Sequence, residues 1–350
     1  VPLQGACFAC ALLAAATAQA QTYTRTEITV YGATGVTLTC LNNKVTVGGY
    51  YQIGHHNRGF LASRGTVSEL PPFTVPGVGK AYPFPSTIND AGEVLETAPA
   101  GSTYYAATSR PGHTPTGFAF PSVSGANGFG AVALNRAGTL VLDLITLADP
   151  YANISFAACS YIGMPSNFTE IQAPVGTPSG TSLEADALND SGEVAGIVYP
   201  ATASPTQYFI AGPAGTQFYS LPGTPSLGGS LQLNNLGLVA VVVNDSKGSG
   251  TVFVGKPGHL QPVTLSHKAY NLSVLGLNKK GVVAITYSQA TEFGAPVNLS
   301  LLMPSGEYYI AQRRFPDFLS AAGLNDYGDL AYNEETNGVG HAYVATCSGC

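Results

Sequence analysis

Ala187-Leu188-Asn189-Asp190-Ser191-Gly192-Glu193-Val194-Ala195-Gly196 decides the fold, because it reads as a complete hairpin turn followed by a strand. Asn and Asp side chains bond back to nearby backbone N–H groups and open a type I turn, and Gly supplies the left-handed residue that closes it. The run Glu193-Val194-Ala195-Gly196-Ile197-Val198 is then the returning strand.

The phrase recurs along the chain. Its copies are Leu41-Asn42-Asn43-Lys44-Val45, Ile88-Asn89-Asp90-Ala91-Gly92, Leu134-Asn135-Arg136-Ala137-Gly138 and Leu188-Asn189-Asp190-Ser191-Gly192. Leu233-Asn234-Asn235-Leu236-Gly237, Leu277-Asn278-Lys279-Lys280-Gly281 and Leu324-Asn325-Asp326-Tyr327-Gly328 follow. Seven copies stand 47, 46, 54, 45, 44 and 47 residues apart, counted Asn to Asn. A period near 40–50 residues with strand-rich content is that of propeller blades of four strands.

A second phrase keeps step with the first, an aromatic or large apolar residue some 17–24 residues after each Asn. It reads Gly59-Phe60, Gly117-Phe118 (stretched to 29 residues from Asn89), Ser155-Phe156, Tyr208-Phe209, Val252-Phe253, Ser300-Leu301 and Ala342-Tyr343. We read it as the third strand of each repeat, its aromatic entering the seam between blades. Glu170-Ile171, Gln217-Phe218-Tyr219 and Pro262-Val263-Thr264-Leu265 suggest a fourth strand, and little room is left for one between Gly125 and Asn135.

The expected fold is therefore all-β: a β-propeller of seven blades, each of about four antiparallel strands. The last Asn leaves 25 residues, enough for two strands. Thr26-Glu27-Ile28-Thr29-Val30-Tyr31 is expected to supply the missing outer strand, so that the N-terminal strand closes the ring and no sheet edge is left to aggregate.

Phrases such as Ala187-Leu188-Asn189-Asp190-Ser191-Gly192-Glu193-Val194-Ala195-Gly196 and Gly340-His341-Ala342-Tyr343 resemble those of the bacterial HAF-repeat family of extracellular repeat proteins. The resemblance covers roughly residues 40–345. It implies export and repeats, and it implies no activity.

Composition agrees. The chain has 350 residues with 42 Gly, 24 Pro and 19 Tyr but 10% charged residues, too few to surface many helices. An apolar fraction of 45% suffices for a core and excludes a disordered chain. The net charge of −6 is thinly spread, and Arg313-Arg314 and Lys279-Lys280 are the adjacent basic pairs. No basic face for nucleic acid is visible.

Residues 7–20 form an apolar run ending in Ala18-Gln19-Ala20, the pattern of a secretory signal peptide and its cleavage site. Two segments follow: a signal peptide over 1–20 and one seven-repeat domain over 21–350. The run is too short to span a bilayer, so the mature protein is expected to be secreted, periplasmic or cell-surface, and not membrane-spanning. Cleavage would leave Cys40, Cys159, Cys347 and Cys350 for disulfides, with three pairings open. Ring closure would bring Cys40 near the C-terminal pair, so Cys40 is expected to join Cys347 or Cys350.

No GxSxG elbow, HExxH, Walker loop or dinucleotide fingerprint is present. No catalytic, cofactor-binding or metal-binding residue is assigned. His55-His56 would point to opposite faces of a strand and cannot readily chelate one metal. The Asn-Asp-x-Gly-Glu stretches admit a calcium reading, but Arg136, Leu236 and Lys279 stand at ligand positions in three copies, which favours a plain turn. Asn42, Asn89, Asn135, Asn189, Asn234, Asn278 and Asn325 are accordingly read as structural turn residues.

Asp143, Asp149, Glu184, Asp186, Asp245 and Asp317 lie outside the repeat phrases, where catalytic carboxylates would be grafted. Tyr50-Tyr51, Tyr104-Tyr105 and Tyr308-Tyr309 each put one ring on either face of a strand, and outward rings suit glycan or protein recognition. The sequons at Asn153, Asn167, Asn189, Asn244, Asn271 and Asn298 matter only in a host that glycosylates them. The leading expectation is a secreted non-enzymatic binding scaffold of unknown glycan or protein ligand, without cofactor. The alternatives are a propeller hydrolase or lyase acting on extracellular polysaccharide, and a structural repeat protein without a small ligand.

Overall fold

In the computed structural model, the described residues are 22–349 apart from 76–78, 101–102, 111–112, 119–127, 150–153, 166, 200–206, 222–230, 246, 266, 293, 305 and 315–316. The signal-peptide reading of residues 1–20 and Cys350 fall outside them. Every element among the described residues is a strand, and none is a helix.

The strands form successive four-stranded antiparallel units. The first is Gly35–Leu41, Val47–Ile53, His56–Ser63 and Thr66–Glu69. The second is Phe84–Ile88, Val94–Ala100, Thr103–Ser109 and Thr116–Phe118, and the third Gly128–Leu134, Leu140–Asp149, Ile154–Met164 and Asn167–Glu170. Then come Ser182–Leu188, Val194–Tyr199, Gln207–Gly212 and Gly215–Ser220 in the fourth, and Leu231–Leu233, Val239–Asn244, Ser249–Lys256 and His259–Val263 in the fifth. The sixth is Ala269–Leu277, Val283–Ser288, Val297–Met303 and Gly306–Arg313. In the seventh, Leu319–Leu324, Leu330–Thr336 and Val339–Ser348 are joined by Thr22–Ile28, which pairs antiparallel with Val339–Ser348 from Thr22↔Ser348 to Ile28↔Ala342.

Each repeat phrase sits where the first strand of a unit turns into the second. Gly92, Gly138, Gly192, Gly237, Gly281 and Gly328 all have positive φ, between 68° and 95°. Val45, which replaces Gly in the first copy, takes φ 57° as well. A β-branched residue is strained there. Val45 packs on the core shared by the last and first units, and that burial offsets the strain.

The aromatic phrases lie on third strands, with one correction. Gly117-Phe118 is on the fourth strand of the second unit, whose third strand is Thr103–Ser109. Phe118 still reaches the seam with the third unit, packing with Leu95, Ala106, Leu134 and Leu140. Of the recurring residues, Phe60, Phe118, Phe209 and Leu301 are buried and Phe253 and Tyr343 half-buried, while the Phe156 side chain lies outside the described residues.

Buried clusters fill the seams between consecutive units, including the seam joining the last unit to the first (Val36, Leu38, Phe60, Ala331, Val344). Phe60, Phe209 and Tyr208 are fully buried. The seam between the first and second units is thin, built from Cys40, Leu61, Leu70, Ile88 and Val94. An extra hairpin, Phe73–Val75 with Gly79–Ala81, packs beside it on Tyr105, Ala98 and Ala107 of the second unit. The fifth and sixth units are instead welded into one sheet, because Ser249 and Gly250 pair with Tyr270 and Ala269.

The expected Cys40 disulfide is not formed. Cys40 and Cys159 are free thiols, while Cys347 is disulfide-bonded. Cys40 is enclosed in the seam of the first and second units, whereas Cys347 pairs with Tyr23 beside the last unit's outer strand. Cys40 lies on the first strand of its sheet and Cys347 on the third strand of its own, a difference the repeat period alone does not reveal.

Candidate functional site

The seven repeat asparagines, 2–5% exposed, converge in one hydrogen-bonded relay. Asn278 shows the local pattern: its N–H donates to Val282 O at 3.0 Å and its C=O accepts from Gly281 N–H at 3.0 Å. Its Oδ1 accepts from the N–H groups of Lys280 and Val282, both at 3.0 Å. This leaves Nδ2, which donates outside the repeat to the C=O of Asn325 at 3.3 Å.

The same long-range bond recurs at every copy. Asn42 donates to Asn89 O (3.1 Å), Asn89 to Asn135 O (2.8 Å), Asn135 to Asn189 O (3.2 Å) and Asn189 to Asn234 O (3.4 Å). Asn234 donates to Asn278 O (2.8 Å), and Asn325 returns the relay to Asn42 O (3.4 Å). Asn suits the position because its amide is donor and acceptor at once. Aspartate would present a buried charge and no donor.

The next residue of each turn forms a second, outer relay. Asn43 N–H donates to Asp90 Oδ1 (2.9 Å), Arg136 N–H to Asp190 Oδ1 (2.8 Å) and Asp190 N–H to Asn235 Oδ1 (2.8 Å). Lys279 N–H donates to Asp326 Oδ1 (2.9 Å) and Asp326 N–H to Asn43 Oδ1 (2.7 Å). The joints from Asp90 to Arg136 and from Asn235 to Lys279 lack this bond, since a guanidinium and an ammonium have no acceptor. A cavity of about 160 Å³ opens here, lined by Asn43, Asp90, Arg136, Asp190 and Asp326 together with inner-ring asparagines.

A larger cleft, about 720 Å³, lies at the thin seam between the first and second units. The hydroxyls of Ser63, Thr66, Ser68, Ser109 and Thr114 line it with Glu69, Arg110 and His113, over a base of Leu61 and Leu70. Tyr51 donates its hydroxyl to Glu69 Oε2 at 2.9 Å, orienting that carboxylate. Arg110 lies 3.8 Å from Glu93. Ser109 donates to Glu96, which is fully buried and whose Oε2 has no hydrogen-bond partner. Burial raises the Glu96 carboxyl to about 7, against the lowering effect of the Ser109 bond.

Asp143 and Ser160 form a comparable buried pair, but theirs is spent on structure. The single Ser160 hydroxyl proton lies between Asp143 Oδ1 and Leu183 O (2.9 Å), and Ala185 N–H donates to Ser160 Oγ (2.9 Å) and Asp143 Oδ1 (3.2 Å), pinning the first strand of the fourth unit. Burial raises the Asp143 carboxyl to about 7. Asn333 does the equivalent work at the last seam, bonding both N–H and C=O of Leu38 (2.6 and 2.9 Å).

Of the six carboxylates set apart by sequence, Asp143, Glu184 and Asp186 are brought within electrostatic reach of one another near Tyr199. Burial, then Glu184 and Asp143, raise Asp186 well above the usual carboxylate range. Asp245 is an ordinary turn residue, its Oδ1 accepting from Lys247 and Ser249 N–H (2.8 and 2.9 Å). Asp317 Oδ1 accepts from Asn337 N–H at 2.9 Å. The side chain of Asp149 lies outside the described residues.

The tyrosines are spread over three units. Tyr50 is half-buried, edge-on to Phe84 of the second unit at 5.4 Å, and Tyr51 is buried. Tyr105 rests on the extra hairpin's core, and the Tyr104 side chain lies outside the described residues. Tyr308 packs near Tyr23 (4.8 Å), leaving Tyr309 outward at 52% exposure. His55 and His56 sit at the hairpin turn between Val47–Ile53 and His56–Ser63. Among the described residues no cluster of three His, Cys, Asp or Glu forms a metal-binding group, and no helix is long and apolar enough to cross a membrane.

Glu96, Ser109, Arg110 and His113 escaped the sequence reading. The detectable signal was Glu96 itself, a charge inside the otherwise uncharged strand Val94-Leu95-Glu96-Thr97-Ala98.

No family model and no curated protein matches the chain. Solved structures do. A prolyl endopeptidase is similar at TM-score 0.57 and 13% identity, over 91% of this chain and 50% of that one. An acylaminoacyl peptidase is similar at TM-score 0.57 and 10% identity, over 90% and 52%. YCF48 from Cyanidioschyzon merolae is similar at TM-score 0.51 and 10% identity, over 92% and 98%. This chain spans about half the length of the two peptidases. At such identities the likeness is one of fold: this is an all-β chain whose antiparallel sheets are arranged like those of β-propeller proteins.

Proposed function

We propose that the chain is a seven-bladed β-propeller, closed by its N-terminal strand, that works as a secreted non-enzymatic scaffold and binds a glycan in the cleft between its first two blades. Closure is supported by the asparagine relay, which returns from Asn325 to Asn42, and by Thr22–Ile28 completing the sheet of the last unit. The seven repeat phrases, with their likeness to HAF-repeat proteins, support export.

The observation that carries the binding reading is the lining of the 720 Å³ cleft. Hydroxyls from Ser63, Thr66, Ser68 and Thr114 both donate and accept, Glu69 accepts, Arg110 and His113 donate, and Leu61 and Leu70 offer apolar contact. Few convergent polar groups over an apolar base suit a polyhydroxylated ligand, whose hydroxyls need both partner types while its C–H faces need apolar surface. The buried serine–carboxyl pair of Asp143 bridges strands of adjoining units, which favours a framework role over turnover.

A glycan array probed with the protein, alongside Arg110→Ala and Glu69→Gln, tests this. A hit lost in both variants supports the cleft. A hit untouched by either places the ligand elsewhere, and cleavage of the bound glycan would make the protein a hydrolase or lyase.

A further inference from the structure

The outer relay contains its own internal standard. At five joints the N–H of the second turn residue donates to the side-chain Oδ1 of the matching residue one unit on. The acceptors are three carboxylates (Asp90, Asp190, Asp326) and two amides (Asn235, Asn43). At the joint from Asp90 to Arg136 the acceptor is replaced by a donor. The cavity of about 160 Å³ is lined by both residues, whereas Asn235 and Lys279 of the other broken joint do not line it. Lys279 is also engaged, 3.9 Å from Asp326 Oδ2 and 5.4 Å from the centre of the Tyr327 ring.

We propose that this mouth binds a carboxylate carried on a narrow stem, whose oxygens accept from the Asp90 N–H and the Arg136 guanidinium and so complete the outer relay. An aspartyl or glutamyl side chain or a peptide C-terminus presents such a group. The incoming group takes the place that Asp190 occupies at the following joint, where a carboxylate accepts the N–H of Arg136 at 2.8 Å. Arg136 adds what that joint lacks, a planar fork matched to two carboxylate oxygens.

Three aspartates line the mouth: Lys279 stands 3.9 Å from Asp326 Oδ2, and amide donors occupy acceptor oxygens of the other two. Asp90 accepts from Asn43 N–H (2.9 Å) and Asn43 Nδ2 (2.7 Å), and Asp190 accepts from Arg136 N–H and Asn235 Nδ2 (2.9 Å). The guanidinium of Arg136 is exposed and makes no ion pair among the described residues, so it is available to neutralise the ligand. The volume admits the carboxylate and its stem atoms. This inference is independent of the glycan cleft.

The test is a titration of the 15N-labelled full chain with sodium acetate at constant ionic strength, following the Asp90 amide by NMR. The expected result is a saturable downfield shift with a dissociation constant on the order of millimolar, as suits so small a ligand. N-acetylglycine should bind at least as well as acetate, and acetamide at least roughly tenfold more weakly, for want of charge pairing. Arg136→Ala should weaken acetate roughly tenfold or more. Arg136→Asn should abolish binding and raise the melting temperature, because its Oδ1 supplies the missing acceptor as Asn235 does. Comparison of Arg136→Ala with the parent keeps the test valid if Arg136→Asn disturbs the turn. Equal binding of acetamide, binding of glucuronate without acetate, or acetate binding unchanged in Arg136→Ala would each overturn the proposal.

Discussion

Replacing Asn278 by Asp removes one hydrogen bond donor and nothing else in shape, which isolates the relay from the turn. Asn278 is 2% exposed, and its Oδ1 bonds to Lys280 and Val282 N–H survive the change. What is lost is the donation from Nδ2 to Asn325 O at 3.3 Å, replaced by a carboxylate oxygen facing a carbonyl oxygen. Asn325 O keeps its bond from Gly328 N–H at 3.1 Å. The cost of Asn278→Asp is therefore about 1 kcal/mol for the lost hydrogen bond and about 1–3 kcal/mol more for a buried carboxylate oxygen with no donor, about 2–4 kcal/mol in all at pH 8. The two N–H bonds to Oδ1 favour the charged carboxyl, but burial at 2% exposure and the facing carbonyl oppose it more strongly, so its folded pKa is expected above the unfolded value of about 3.9. The variant's stability relative to the parent is therefore restored as pH falls through that raised pKa, because the protonated carboxyl donates to Asn325 O. Urea denaturation of parent and variant at pH 8 and pH 4.5 measures the difference at each pH, so that the parent's own titrations cancel. A difference below about 0.5 kcal/mol at pH 8, or one that does not shrink at pH 4.5, would refute the role assigned to Nδ2. Asp245 is a natural control: it makes the same turn, with Asp245 N–H to Ser249 O at 2.8 Å and Gly248 N–H to Asp245 O at 3.0 Å, but lies outside the relay. Asp245→Asn should lose only the small contribution of an exposed carboxylate held below its usual range by the Ser249 and Lys247 N–H bonds, and should not regain stability at pH 4.5 as Asn278→Asp does.

Three further outcomes follow from other buried groups. Glu334, 1% exposed, is clasped by Arg313 and by Arg25 Nη2 at 2.7 Å, and Arg25 also lies 3.5 Å over the Tyr343 ring. Glu334→Ala leaves two guanidiniums facing each other and should cost about 3–5 kcal/mol by chemical denaturation, with faster hydrogen exchange in Thr22–Ile28. Glu96 and Asp143 both have folded pKa values raised to about 7 by burial. Their contribution is fully present below the unfolded carboxyl range near 4 and is lost as pH rises through about 7. The melting temperature should thus fall between pH 5 and 8, and the double variant Glu96→Gln, Asp143→Asn should flatten that slope; an unchanged slope would exclude these groups as its source. Cys40 is buried, with burial pushing its thiol up to about 12, so a disulfide reagent at pH 8 should leave it unmodified until the protein is unfolded. Rapid labelling of Cys40 in the native protein would contradict its place in the seam.

The amino-acid sequence by itself determined the local units. Asn-x-x-Gly makes its turn with atoms no more than four residues apart, so the turn, the strands on either side and their recurrence could all be read from the sequence before any contact was known. That Asn, rather than Asp, holds the position has a reason the turn does not contain, since Asp245 forms the same turn equally well. Its Nδ2 partners stand 44–54 residues away along the chain at six copies and 283 at the seventh, and such distances carry no periodic signal that separates a structural bond from a surface amide. The tyrosine pairs show the same limit. Strand alternation says that Tyr308 and Tyr309 face opposite ways, but the seam contact of Tyr50 with Phe84 depends on how the second unit packs. The thin seam that opens the cleft, the fate of Cys40 and the missing acceptor at Arg136 were likewise decided only in the tertiary structure. Turns and strands are set by bonds between near neighbours, whereas sites arise where successive repeats meet and one of them departs from the pattern the others keep.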